Sequence, residues 1–368
     1  MMRGFKISLL IFSFGSITAN AGVVYYGSSN AVLAAKNQEM FLMGFELGLG
    51  NNIPKNKAKD LLVIEQDTTG NPLGALVVAK KIFRCDPPIV VGFPTSHEAL
   101  LVAKEYAKSG SLIIFAGAGH SELASFGNTV HTTGESMEFS TGMIIDFLKN
   151  KFGGQHGAVI GNPYAVFSKN FDDGLTAQIR SHRDVPKLEF FKLSKDQQLG
   201  EKELLRLRTG HFDFMLISSY PDECVRLLEQ LDQAHIDLPI VTNSSWTTGD
   251  VDYLRRLLSK KTAAVYSAAL WLPGSQSSRG FEALVKSRFG RDATSEIAYG
   301  YDLGIIVGKT LIAAKSDYSK GNLLRTFLNL RCFDGLASGR ICFQRSGGHA
   351  VRTLQFVQFT NHGLIPVR

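Results

Sequence analysis

The side chains able to do chemistry in this chain fall in short clusters of hydroxyls, glycines and aromatic rings. They are Thr95-Ser96, Gly117-Ala118-Gly119, Tyr164, Tyr220 and Ser244-Ser245-Trp246. Each follows a run of apolar, β-rich residues. Hydroxyls and bare backbone N–H groups at the start of a helix hold a small anion such as a carboxylate by hydrogen bonds. Aromatic rings make the walls of a small-molecule pocket. That chemistry is capture, not conversion. The sequence has no G-x-S-x-G, no H-E-x-x-H, no C-x-x-C and no phosphate loop. Gly117-Ala118-Gly119 begins like a dinucleotide fingerprint, but Glu122 stands where the third glycine belongs. The nine histidines are dispersed with no ligand-like pair, so neither a metal nor a cofactor is expected. A catalytic base in the cleft would have to be Asp67 or His120, and no enzyme is expected.

The elements that carry these clusters alternate. Apolar runs at Val23–Tyr26, Leu61–Ile64, Ile89–Gly92 and Leu112–Phe115 read as strands, with helical spacing between them. The pattern restarts at Ala158–Ile160, Leu188–Phe191, Phe214–Ile217 and Pro239–Thr242. Strand and helix in alternation mean right-handed βαβ units and a parallel sheet. Continuous apolar strands mean both faces of the sheet are covered. The fold class is therefore α/β, with two doubly wound parallel-sheet lobes. Ligands of open α/β sheets lie beyond the carboxyl ends of the strands, where the clusters sit. Two readings stay open at three positions. Thr95 also begins a capping box, Thr95-Ser96-His97-Glu98. Tyr164 and Tyr220 fit a ligand wall or packing between the lobes. Strand Ala264–Leu270 and helices over 295–314 and 321–330 do not complete a third unit, which implies that the chain crosses between the lobes more than once.

Composition limits the partners. Of 368 residues, 44% are hydrophobic and 20% charged, as in a folded soluble protein. Net charge is +7, but the basic residues are scattered and not interleaved with aromatics, so no nucleic acid partner is expected. Arg3 and Lys6 precede the apolar run Ile7–Phe14, and Ala19-Asn20-Ala21 follows. This is the layout of a secretory signal peptide over residues 1–21, cleaved after Ala21. No cysteine precedes Cys85, so no lipid anchor is expected, and the periplasm is the implied compartment. In an oxidising compartment, Cys332 and Cys342 form a disulfide candidate, with Gly335 and Gly339 to turn the chain between them. Cys85 and Cys224 read as buried free thiols.

Val90-Val91-Gly92-Phe93-Pro94-Thr95-Ser96 and Leu112 through Leu123 resemble the type I periplasmic binding proteins. The nearest branch is the leucine/isoleucine/valine-binding group of ABC-transporter solute receptors. Asp67 with Pro72, Asp213-Phe214, Tyr299-Gly300-Tyr301-Asp302, and Phe333-Asp334-Gly335 with Ser338-Gly339 fall in the same order. The resemblance implies two lobes joined by a three-segment hinge, with crossovers near Thr133-Gly134, Leu270-Trp271 and Phe333. The lobes are then 22–133 plus 271–333 and 134–270 plus 334–368.

The same resemblance implies ligand-binding roles. Ser96 falls on the serine that holds the ligand carboxylate, and Gly117 on a loop whose backbone touches the ligand. Gly119 replaces a threonine hydroxyl. Tyr164 and Tyr220 fall near the aromatic walls, and Trp246 is expected to help cover the ligand. Ser244 falls close to the acid that pairs with a ligand ammonium, and a serine cannot neutralise that charge. Asp222 or Glu223 are the replacements, unless they serve the dipole of the helix they begin. The implied function is capture of a small polar ligand (an amino acid, small carboxylate or amide) for an ABC permease of the inner membrane, by a monomer. The alternative is a sensory or regulatory module signalling to a membrane receptor or cell-envelope enzyme.

Overall fold

The computed structural model describes residues 22–28, 34–52, 61–67, 72–153, 155–248, 254, 256–258, 261–315, 317–335, 337–361 and 363–367. The signal-peptide reading over 1–21 and the loop at Thr68–Gly70 lie outside them. The first half runs β1 (Gly22–Ser28), α1 (Ala34–Asn52), β2 (Leu61–Asp67), α2 (Pro72–Phe83), β3 (Ile89–Gly92), α3 (Ser96–Tyr106), β4 (Leu112–Phe115) and β5 (Val130–Thr132). The second runs α4 (Met137–Phe152), β6 (His156–Gly161), α5 (Val166–Ser181), β7 (Lys187–Lys192), α6 (Glu201–Thr209), β8 (Phe214–Ile217), α7 (Val225–Gln233), β9 (Ile240–Thr242) and β10 (Val265–Ala269). The chain ends in α8 (Arg279–Phe289), α9 (Ser295–Ala313), α10 (Lys320–Leu330), β11 (Cys332–Phe333), β12 (Ile341–Phe343), β13 (Gly348–Val351), β14 (Gln355–Thr360) and β15 (Gly363–Pro366).

Two sheets result. The first has the order β11-β12-β13-β5-β4-β3-β1-β2 and the second β15-β14-β10-β9-β8-β6-β7. The central strands pair in parallel, and the antiparallel pairs lie at the ends contributed by the late strands. Side chains alternate between faces as a pleated strand requires. Ile89 and Val91 enter one core cluster with α1, α8, α9 and α10, whereas Val90 enters another with α2 and α3. In the second sheet Met215 and Ile217 face α6 and α7, and Phe214 and Leu216 face α4 and α5. Both sheets are therefore covered on both faces, so each lobe is doubly wound.

α1 and α9 lie backbone to backbone. A Cβ on Gly44 would stand 2.0 Å from the Ile297 carbonyl oxygen, and one on Gly48 2.2 Å from that of Tyr301. Gly300 and Gly304 meet Phe41 and Phe45 in the same way. Glycines four apart on each helix form a flat stripe, which permits the close approach.

The chain passes between the sheets at 133–136, at 270–272 and at 352–354. The third passage differs from the one expected near Phe333. β11–β13 pair onto β5 at the edge of the first sheet, and only β14 and β15 join the second. Residues 334–351 therefore belong with the first lobe. Hairpin pairing explains the difference, because Cys332 lies opposite Cys342 in the antiparallel ladder and the two are disulfide-bonded. Cys224 is buried, but Cys85 is exposed, because α2 ends at Phe83 and a turn lifts it off the core. Among the described residues no helix is long and apolar enough to cross a membrane.

Candidate functional site

The candidate cleft lies between the carboxyl ends of β3 and β4 and those of β6, β8 and β9, which meet through Ser96 and Tyr220, Ser121 and Asn170, and Glu135 and Ser244. At the end of β3 the chain turns sharply. Gly92 has φ +114° and Phe93 φ +48°, in the left-handed region, with the Phe93 ring fully buried. For a residue with a Cβ that region is strained and persists only where surroundings enforce it. The turn presents Thr95 and Ser96. Thr95 is the cap of α3. Its hydroxyl donates to Glu98 Oε2 at 2.9 Å and accepts from the Glu98 N–H at 3.4 Å, so its proton is committed to the cap. Ser96 is 1% exposed, and its Oγ has no well-formed hydrogen bond. Gly117 has φ +94° and open space where a Cβ would sit. A Cβ on Gly119 would stand 3.4 Å from the Glu135 carbonyl oxygen, an ordinary contact.

The second lobe answers with Tyr220, which follows β8. Its ring stacks on Phe167 at 4.6 Å, and its phenol faces the Ser96 hydroxyl and backbone. Burial raises the phenol above its ordinary range, so it stays protonated. Glu223, one turn on, is pushed up to about 7, first by burial and then by the Asp222 charge. Asp222 itself is exposed.

Other residues of this lobe satisfy one another. Asn243 donates to the Ser218 and Ser219 carbonyls at 3.2 and 3.3 Å, and its Oδ1 accepts from the Ser245 N–H at 3.0 Å. Ser168 and Ser218 hydroxyls meet at 3.0 Å. Trp246, expected against the ligand, is fully buried in the core with α6 and α7, and its indole N–H donates to the Ser219 carbonyl at 3.0 Å. The helical turn that starts at Ser244 swings the ring under the strand ends. Tyr164 is 60% exposed and carries Lys195 over its ring at 5.8 Å, apart from the Ser96–Tyr220 contact.

Ser244 reaches the first passage between the lobes, and its partner there is a residue that the sequence reading passed over. Its hydroxyl donates to Glu135 Oε1 at 2.8 Å. Glu135 stands on the first passage between the lobes and is 6% exposed. The three passages are tied by Arg352. It donates to the Thr133 carbonyl at 2.8 Å, to that of Leu270 at 3.4 Å and to Ser338 Oγ at 2.8 Å. Ser338 in turn donates to Asp302, whose carboxyl burial raises to about 6. At the rim, Asn170 of α5 and Ser121 of the first lobe exchange two hydrogen bonds, at 2.7 and 3.1 Å. No sequence motif marks Glu135 or Arg352. Their signal would have been position alone, a charged residue at a crossover.

Comparison with known proteins places this geometry. A family model described as periplasmic binding protein matches residues 55–363. The chain belongs to that family, and its fold is the type I fold of the leucine/isoleucine/valine-binding class. A leucine-binding protein of Thermotoga maritima superposes with a TM-score of 0.79 at 14% identity, over 95% of this chain and 98% of that one. A branched-chain amino acid binding protein of Streptococcus pneumoniae, solved with isoleucine, gives 0.76 at 17% identity, over 94% and 97%. A solute-binding protein of R. palustris in complex with benzoate gives 0.76 at 12%, over 94% and 95%. No curated protein matches the chain. The family binds solutes and performs no chemistry on them.

Proposed function

We propose that this chain captures a small polar solute between its lobes and delivers it to an ABC-type permease of the inner membrane. The solute class is an amino acid, a small carboxylate or an amide. The chain acts as a soluble periplasmic monomer, exported by a cleaved signal peptide. One observation supports the reading: Ser96, buried and with no well-formed hydrogen bond at its hydroxyl, faces the Tyr220 phenol of the other lobe. Opening separates those two groups and gives a ligand donors from both lobes. The Cys332–Cys342 bridge suits an oxidising compartment. The test is a thermal-shift panel on protein unfolded and refolded to strip carried-over ligand. A ligand at about 100 times its dissociation constant adds roughly 2.7 kcal/mol, a shift of several degrees. A flat response across amino acids, carboxylates and amides contradicts capture and turns attention to a sensory role.

A further inference from the structure

Arg352 draws the three passages between the lobes to one point. It stands on the third passage and is 7% exposed. Its Nη1 donates to the Thr133 carbonyl of the first passage at 2.8 Å, and its Nη2 to the Leu270 carbonyl of the second at 3.4 Å. Nη2 also donates to Ser338 Oγ at 2.8 Å. Ser338 gives its own proton to the Asp302 carboxylate, which accepts the Ala337 N–H as well, at 2.6 Å. Asp302 belongs to α9, the helix set backbone to backbone against α1. The guanidinium also lies over the Tyr299 ring at 5.9 Å, and Tyr299 packs against the cores of both lobes. Arg352 is thus anchored on the rigid helices of the first lobe and grips the backbone of two further passages.

Such a group is ill suited to stability alone. Among the described residues no carboxylate pairs directly with Arg352, and its Nε is buried without a partner. A well-packed apolar side chain often stabilises a core as well as a buried ion does. What a guanidinium adds is a planar fork with donors at fixed angles. Movement of one lobe against the other turns the backbone of the passages. A fork fixed on two of their carbonyls constrains both turns together. The bonds are made in the arrangement where the lobes touch, through Ser96 and Tyr220, Ser121 and Asn170, and Glu135 and Ser244.

We infer that Arg352 is a positioning residue for lobe closure: it couples the three passages, favours the closed arrangement, and so tightens solute binding through the hinge. The coupling stands apart from the reading of solute capture. Only the gain in affinity rests on that reading.

The test attaches nitroxide labels to the exposed Cys85 of the first lobe and, through Lys202→Cys, to an exposed position of the second. Pulsed electron-spin resonance then reads the distance between the lobes in refolded protein, with and without L-leucine or benzoate. In Arg352→Met the distribution should broaden and move to longer distances. The closed-to-open ratio should fall about tenfold or more, the effect of one hydrogen bond from a charged donor. Arg352→Lys keeps the charge without the fork and should lie closer to Arg352→Met than to the wild type. Ser338→Ala removes the anchor but leaves the fork and should lower the ratio about threefold. Where a probe binds the wild type, its dissociation rate should rise in Arg352→Met by the factor that the distances give, with the number of sites per chain unchanged. A variant that is merely unstable loses sites and keeps the affinity of those that remain.

A distance distribution unchanged in Arg352→Met, or moved toward closure, overturns the inference and leaves solute capture standing. Distances that shift as expected while neither probe binds the wild type uphold the inference and count against capture of those solutes alone. If Arg352→Met fails to fold, Arg352→Lys and Ser338→Ala decide, and a wild-type distribution in both overturns it.

Discussion

The two walls of the cleft use their polar groups in opposite ways. On the first lobe the strand ends leave valences open. The Ser96 hydroxyl has no well-formed hydrogen bond, and Gly117 has open space where a side chain would stand. On the second lobe Asn243, Ser168, Ser218 and Ser219 close on one another and on the Trp246 indole. The lesson is that a hydroxyl at a strand end is not by its type a ligand group. What decides is whether the fold has already given it a partner. The rigid frame behind the open wall is the glycine stripe of α1 and α9. The frame behind the closed wall is the Asn243 network.

Breaking either frame tests the contrast. Gly48→Ala places a Cβ 2.2 Å from a backbone oxygen that cannot move alone. We expect a loss of about 3 kcal/mol or more, because forcing extra volume between packed backbones shifts a whole helix. Denaturant unfolding checks it, and the first lobe should melt ahead of the second. Asn243→Ala should cost about 2 kcal/mol, since it strands the Ser218 and Ser219 carbonyls and the Ser245 N–H inside the second lobe.

A smaller effect depends on pH. Glu223 titrates near 7 in the folded protein and near its ordinary 4.5 when unfolded. Below that lower value both states hold the proton and nothing changes. As pH rises toward 7 the unfolded chain releases its proton first, so the wild type loses stability. Glu223→Gln removes this loss and should be more stable at pH 8 by about 1–2 kcal/mol, with the advantage gone at pH 4. Melting curves at the two pH values are the check. Ser96→Ala should change stability by less than about 0.5 kcal/mol, because its hydroxyl has no well-formed bond to lose. Thermal melting would show it, and a large loss there would erase the contrast between the walls.

How far the sequence reached follows from which forces are local. The parallel strands were legible because doubly covered strands are continuous apolar runs, and Ile89–Gly92 or Phe214–Ile217 can be little else. β11–β13 were not, because they are two to four residues long and exist by pairing with β5, a partner far back in the chain. The third crossover was misplaced with them. That Ser96 and Tyr220 follow strands was legible, and the structure sets their side chains against each other. Trp246 shared that position, but a helical turn carried its ring into the core. Glu135 follows β5, three residues with no apolar run to announce it, so nothing local marked it as the partner of Ser244.

The central claim is that one solute touches both walls. Calorimetry on the best ligand of the panel, with wild type, Ser96→Ala, Tyr220→Ala and the double variant, tests it most directly. Each single change should weaken binding about tenfold or more, as loss of a hydrogen bond from a desolvated site does. Affinity untouched by one of them would mean that the ligand sits on a single lobe, and the account of capture between the two would be wrong.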